Sequence, residues 1–339
     1  MALRLGLELP YTEMHDRAGL IAFAREAEAL GFDSIWCSEL YSFDAFTTLT
    51  QIACSTERIK LGTNIANIYA RTPAMLASTA ASLDQLSGGR FLLGIGVSGP
   101  QVIEGWHGVP YDRPVTRTRE TIEIVRRVVA GDRLVHEGKV FNLTKGLKLL
   151  NKPLRANLPV YVASLGPRNV EMTAELADGW LPTFFSPAHA PEVFGPALEA
   201  GRRGRSPALD PLDVAPFVPA FVGDVAAGRD MLRWVIGFYV GGMGSREQNF
   251  YNSLVRRYGF VEEAARIQDL FLGGDKPAAI AAVPDAMVDA VSIIGDEAAI
   301  RDGFARYAEA GATTLVLGAM APDAEGRRRT LEVLARANG

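Results

Sequence analysis

Three carboxylates, Glu8, Glu13 and Glu39, fall at or just after the ends of two short apolar runs, and Ser38 directly precedes Glu39. A carboxylate at a strand end can donate or accept a proton once burial raises its pKa, although a solvated surface acid is the plainer reading of any single one. The stretch Leu61-Gly62-Thr63-Asn64-Ile65-Ala66-Asn67 closes another apolar run with small and amide residues that could offer backbone groups to a heterocycle. Gly94-Ile95-Gly96-Val97-Ser98-Gly99 spells GxGxxG. A dinucleotide fingerprint needs a long helix directly after that loop and an acid closing the next strand. Pro100, Gly105, Gly108 and Pro110 interrupt the segment after the loop, so the glycines read better as a place where backbone comes close to a flat ligand. Ala163-Ser164-Leu165-Gly166-Pro167-Arg168 ends one apolar run and opens a helix. Free backbone N–H groups and the positive end of the helix dipole suit a phosphate there, with Arg168 adding charge. The four histidines, His15, His107, His136 and His189, make no HxH or HExxH pattern, and no metal site is expected. Only His107, between Trp106 and Gly108, stands in a loop where it could act.

The elements that must position these residues alternate regularly. Strands are expected at 3–8, 34–37, 60–65 and 91–95, and helices at 17–30, 44–55, 72–87 and 113–130. Leu20, Phe23, Ala24 and Ala27 recur at helical spacing, and Gly31 supplies the stop. Pro73 and Pro114 stand where a first helical residue costs no hydrogen bond. Strand starts near 3, 34, 60 and 90 are separated by 31, 26 and 30 residues, the size of a βα unit. AEALGFDSIW, AELADGWLPT and AEAGATTLVL repeat one junction, a helix ending in Ala-Glu, a short break and an apolar run. Later strands fit at 160–163, 180–183, 214–222 and 314–317. Eight βα units favour an α/β fold of the (β/α)8 TIM-barrel class over an open doubly wound sheet. The expected organisation is one domain, 1–339, with insertions near 131–158 and 223–295. The first insertion holds LVHEGKVFNL, a hairpin turning at Glu137-Gly138.

Composition narrows the class. The chain of 339 residues is 48% hydrophobic and 22% charged, which excludes disorder, collagen and coiled coil. A net charge of -4 without single-sign blocks gives no reason to expect a nucleic-acid partner. Cys37 and Cys54 set no disulfide framework and no CxxC zinc spacing. MALRLGLELPY is too short and too interrupted for a signal peptide, and no run of eighteen apolar residues suggests a membrane span. The expectation is a soluble, cytoplasmic enzyme acting on a small molecule.

Together the motifs resemble the luciferase-like flavin and deazaflavin oxidoreductases, most closely the branch using coenzyme F420. The resemblance is carried by AEALGFDSIWCSE, RIKLGTNIANIYARTPAMLASTAASLDQLSGGRFLLGIG, WHGVPYDRP and YVASLGPRNVEMTAELADGW, in family order across residues 1–183. It implies a TIM-type barrel, often a homodimer, and F420 as cofactor. Asn64-Ile65 corresponds to the family's non-prolyl cis peptide, in a bulge behind the deazaflavin ring that also takes in Thr63 and Ala66. Ser38 and Glu39 match positions lining the ring, Glu13 an acid near the active site, and Gly96 the glycine loop. Ala163, Ser164, Leu165, Gly166, Pro167 and Arg168 match the loop holding the cofactor phosphate, and Thr183 a following contact. Glu39 and Glu13 are thereby the expected proton-transfer residues. Lys145, Lys148, Lys152 and Arg155 are the expected basic patch for the acidic cofactor tail.

Departures shape the substrate. Leu40 stands where the sugar-phosphate branch has a histidine, and Phe184-Phe185-Ser186-Pro187 where that branch has a lysine, which favours an apolar carbonyl or enone. Ser98-Gly99-Pro100-Gln101 lacks the acid of the tetrahydromethanopterin reductase branch, which argues against the pterin reaction. Two alternatives stand beside the F420-dependent oxidoreductase: an FMN-dependent monooxygenase served by a separate reductase, and a non-catalytic F420-binding protein or partner subunit.

Overall fold

A computed structural model of the chain describes residues 3–11 and 16–338. Glu13 and His15 lie outside the described residues. The chain forms two compact units, one built from residues 6–181 and 197–213, the other from the remaining described residues.

The first unit follows the expected βα alternation. β1 (Arg4–Glu8, here from Gly6), α1 (Arg17–Ala29), β2 (Ser34–Cys37), α2 (Ala45–Ala53), β3 (Lys60–Thr63), β4 (Ala66–Asn67), α3 (Pro73–Leu86) and β5 (Phe91–Gly96) come first. Next along the chain are α4 (Pro100–Gly105), α5 (Pro114–Val129), β6 (Leu134–Glu137), β7 (Asn142–Leu147), β8 (Val160–Val162), α6 (Pro167–Leu176) and β9 (Gly179–Trp180). The part of α7 (Ala190–Gly204) from 197 onward and β10 (Asp213–Val214, here Asp213) complete it. Its sheet runs β9-β8-β5-β3-β2-β1, all neighbours parallel. Buried strands on this plan read as continuous apolar runs, as FLLGIG does in β5.

Local chemistry explains the boundaries. Asp16 caps α1 by accepting from the N–H groups of Ala18 and Gly19, each at 3.0 Å. Gly31 (φ 85°) ends it. Trp36 lies buried across the sheet between Gly6 and Gly62. A Cβ on Gly62 would come within 2.2 Å of the indole, so this register needs glycine beside the tryptophan. The indole N–H donates to Ser34 Oγ at 2.9 Å. The expected hairpin forms as antiparallel β6 and β7. Its tip is held by Glu120 on α5, whose carboxylate accepts from the N–H groups of Lys139 (2.7 Å) and Phe141 (2.8 Å).

The second unit contains β11 (Phe217–Val222), α8 (Val225–Gly242), α9 (Phe250–Arg257), α10 (Val261–Leu272), α11 (Lys276–Ala281) and α12 (Asp285–Ala290). β12 (Ile293–Gly295), α13 (Glu297–Glu309), β13 (Thr314–Met320) and α14 (Ala324–Ala337) come after them. Its strands order β13-β11-β12, parallel throughout. Segment 182–196 belongs here. Tyr258 donates its hydroxyl to the Phe184 carbonyl at 2.8 Å, and Tyr307 to that of Phe185 at 3.1 Å.

Three strand expectations are corrected. The run at 60–65 stops at Thr63, because Asn64 and Ile65 leave the ladder before β4. The run at 214–222 divides at Ala215-Pro216 into β10 and β11, as a proline without an N–H interrupts pairing. β12 lies inside the stretch 223–295 expected as an insertion; it has three residues, too few to show a period.

Candidate active site

The carboxylate, hydroxyl and amide residues of the first unit converge at the ends of β1, β2 and β3. Parallel register aligns Glu8 with Trp36 and Cys37 with Thr63, so the residues just past each strand meet. Ser38 Oγ makes a very short contact with Glu8 Oε1 and lies 2.9 Å from the Asn64 carbonyl oxygen. The Asn64 side-chain amide donates to Glu8 Oε2 at 2.9 Å. Burial pushes the Glu8 carboxyl up to about 7, against the lowering effect of its hydrogen bonds to Ser38 and Asn64. Burial likewise pushes the Cys37 thiol well up, with further contributions from Glu8, Glu39 and Asp44.

Asn64-Ile65 is a cis peptide, as the resemblance implies. Its two ends are fixed differently. Upstream, the Thr63 hydroxyl donates to the Gly94 carbonyl (2.6 Å) and accepts from the Gly94 N–H (3.0 Å). Downstream, the Asn67 N–H donates to Glu39 at 3.1 Å. Arg71 grips Glu39 in a bidentate pair at 2.6 and 2.7 Å and also meets Asp44, which caps α2. Of residues 63–66, only Asn64 and Ile65 keep exposed surface.

These facts sort the expected residues. Glu39 is held by Arg71 and Asn67, so its carboxylate supports the segment that follows Asn64, and among the described residues Glu8 is the strand-end acid not paired with Arg71. The sequence offered Glu8 among its strand-end carboxylates without singling it out; only its surroundings distinguish it. Thr63 turns its hydroxyl inward to Gly94, and Ala66 is buried in β4, paired with Ile95. Gly96 does allow a close approach, but by the chain itself: a Cβ there would lie 2.8 Å from the Ile65 side chain. A Cβ on Gly94 would fall 1.8 Å from the Thr63 carbonyl oxygen. The GxGxxG run therefore serves packing against the cis segment, and the helix after it, α4, has six residues. Arg71 escapes sequence reasoning; nothing in IYARTP marks an arginine that will reach back to an acid 32 residues earlier.

The expected phosphate loop joins β8 to α6. Ser164 is buried, its hydroxyl 2.9 Å from Thr173 Oγ1 and its carbonyl accepting from Trp180 Nε1 at 2.9 Å, so it shapes the loop from within. Gly166, Pro167 and Arg168 are exposed, while Ala163 and Leu165 are half-buried. α6 opens at Gly166 with no side-chain cap and no acid in its first turn. Such an end leaves backbone donors for an anion. Thr183 falls in the second unit, half-buried, beside Phe184 and Phe185 that pack into that unit's core. Arg155, expected in the basic patch, is bound to Asp84 and to the Phe91 carbonyl (2.7 Å). Lys145, Lys148 and Lys152 are exposed. His107 is half-buried just past α4, its N–H bonded to the Val102 carbonyl. Among the described residues no helix is long and apolar enough to cross a membrane.

The luciferase-like monooxygenase family model matches residues 4–314. A Mycobacterium tuberculosis protein named "Putative coenzyme F420-dependent oxidoreductase Rv3520c" is 37% identical over 335 residues, covering 94% of this chain and 95% of that protein. The 5,10-methylenetetrahydromethanopterin reductase of Archaeoglobus fulgidus is 29% identical over 93% of this chain and 92% of its own. The solved coenzyme F420-dependent tetrahydromethanopterin reductase from Methanopyrus kandleri superposes with a TM-score of 0.84 at 27% identity, over 99% of this chain and 98% of that one.

Proposed function

Since the chain belongs to the luciferase-like monooxygenase family, we propose that it is an F420-dependent oxidoreductase acting on a small, apolar carbonyl or enone-type substrate. The observation that carries this reading is the meeting of Glu8, Ser38 and Asn64 at the ends of β1, β2 and β3, where the buried Glu8 carboxyl can hold a proton. The named F420-dependent relatives support the cofactor. The uncapped, acid-free start of α6 and the open Gly166 fit a phosphate-bearing cofactor. F420 supplies the hydride donor or acceptor carbon. Asn64 and Ile65 present the surface against which its ring would rest, and the 163–168 loop would hold its phosphate. Glu8 holds a proton near neutral pH and exchanges it with the substrate oxygen. The Arg71–Glu39 pair keeps the cis segment in place.

We read the fold as the (β/α)8 barrel of this family, formed by residues 1–339 as a single domain that works as a homodimer. Met75 and Leu86 on α3 are among the exposed apolar side chains that a twofold mate would cover.

Titrating the purified protein with F420 and with FMN, with fluorescence quenching as the signal, tests the reading. Micromolar or tighter F420 binding and reduction of a carbonyl panel are expected. FMN binding without response to F420 would assign an FMN-dependent monooxygenase instead. F420 binding without turnover of any carbonyl would assign a binding protein or partner subunit.

A further inference from the structure

Ser38 Oγ lies within reach of two oxygens, Glu8 Oε1 and the Asn64 carbonyl. A hydroxyl has one proton to donate and two lone pairs with which to accept. The Asn64 carbonyl only accepts. If Glu8 is ionised, both neighbours of Ser38 are acceptors, and one of the two contacts has no proton in it. If Glu8 is protonated, its O–H donates to Ser38, and Ser38 donates to Asn64, so every contact holds one proton. Glu8 Oε2 accepts from the Asn64 amide in either state.

We propose that Ser38 is a proton-positioning residue, which places the Glu8 proton on Oε1, eases its departure by donating to the carboxylate left behind, and ties its presence to the hydrogen bond on the Asn64 carbonyl. That carbonyl is half of the cis peptide. When the proton leaves Glu8, the Ser38 hydroxyl turns to the carboxylate and the carbonyl loses its donor. In the cofactor-free protein the proton passes to solvent water, one O–H bond breaking on Glu8 and one forming on water, while the Ser38 O–H only rotates and Ser38 stays neutral.

The groups facing Glu8 agree with a resting acid. On the β2 side, the Cys37 thiol is buried and pushed upward, hence uncharged. Glu39 and Asp44 are both paired with Arg71. The end of β3 offers the neutral Asn64 amide. No cation among these partners draws Glu8 into its ionised form.

The use of this proton in hydride chemistry rests on the F420 reading; its placement does not. The test therefore uses the cofactor-free protein. Infrared difference titration of wild type is expected to show a carboxylic C=O band that disappears near pH 7 and is absent in Glu8→Gln. Ser38→Ala removes the charge-assisted donor to the ionised carboxylate, so the band should titrate about one pH unit higher, roughly ten-fold tighter proton binding. Ser38→Thr keeps a hydroxyl and should titrate with wild type. Should Ser38→Ala not fold, Ser38→Cys, a weaker donor of similar size, should show a smaller upward shift. A carbonyl label at Asn64 should shift with the same titration in wild type and stay fixed in Ser38→Ala. A Glu8 band in the ordinary carboxylate range, or an unchanged titration in the Ser38→Ala and Ser38→Cys proteins, would overturn the assignment.

Discussion

Arg71 and Glu39 form a bidentate pair at 2.6 and 2.7 Å, with side chains only 19% and 9% exposed. Removing one partner of such a pair strands the other charge without water. Arg71→Ala should lower stability by about 3 kcal/mol in urea unfolding. Arg71→Lys keeps the charge and loses the fork, so its loss should be smaller. An Arg71→Ala protein as stable as wild type would mean that the pair is not what fixes Asn67.

Glu8 gives the fold a distinctive pH dependence. Its carboxyl rises from 4.5 to about 7 on folding. The folded chain therefore keeps a proton that the unfolded chain releases, and stability falls as pH rises through that window. The loss from this group amounts to roughly 3 kcal/mol above pH 7. Glu8→Gln should be more stable than wild type at pH 8 and close to it at pH 5. An equal difference at both pH values in urea unfolding would contradict the shift.

Gly96 and Gly94 separate cofactor shaping from folding. A Cβ on Gly96 meets the movable Ile65 side chain, whereas one on Gly94 meets the fixed Thr63 carbonyl. Gly96→Ala should fold and bind F420 at least ten-fold more weakly, read by fluorescence quenching. Gly94→Ala should unfold at markedly lower denaturant or fail to accumulate. Unchanged F420 affinity in Gly96→Ala would show that Ile65 does not set the ring surface.

Arg155 should behave as a structural residue. It pairs with Asp84, whose side chain is 2% exposed. Arg155→Ala should cost about 3 kcal/mol of stability and leave F420 affinity unchanged at temperatures where it is folded. Replacing Lys145, Lys148 and Lys152 together should do the reverse, weakening F420 binding most at low salt.

The sequence alone determined much of the scaffold. Periodic apolar spacing, capping residues and glycine stops placed α1, β2, α3, β5 and the β6–β7 hairpin close to their observed bounds, because each of those signals acts within a few residues. Short strands without a period, such as β12, carry no local signal and exist through pairing with β11. The cis segment was legible only as a resemblance, since GTNIAN in isolation does not declare its backbone. Which acid holds a proton was decided by tertiary structure. Glu8 and Glu39 are equivalent in sequence, both glutamates ending apolar runs. The fold brings Arg71 to Glu39 and, among the described residues, neutral Ser38 and Asn64 to Glu8, and burial of Glu8 among such partners makes it an acid near neutral pH while Glu39 sits in an ion pair.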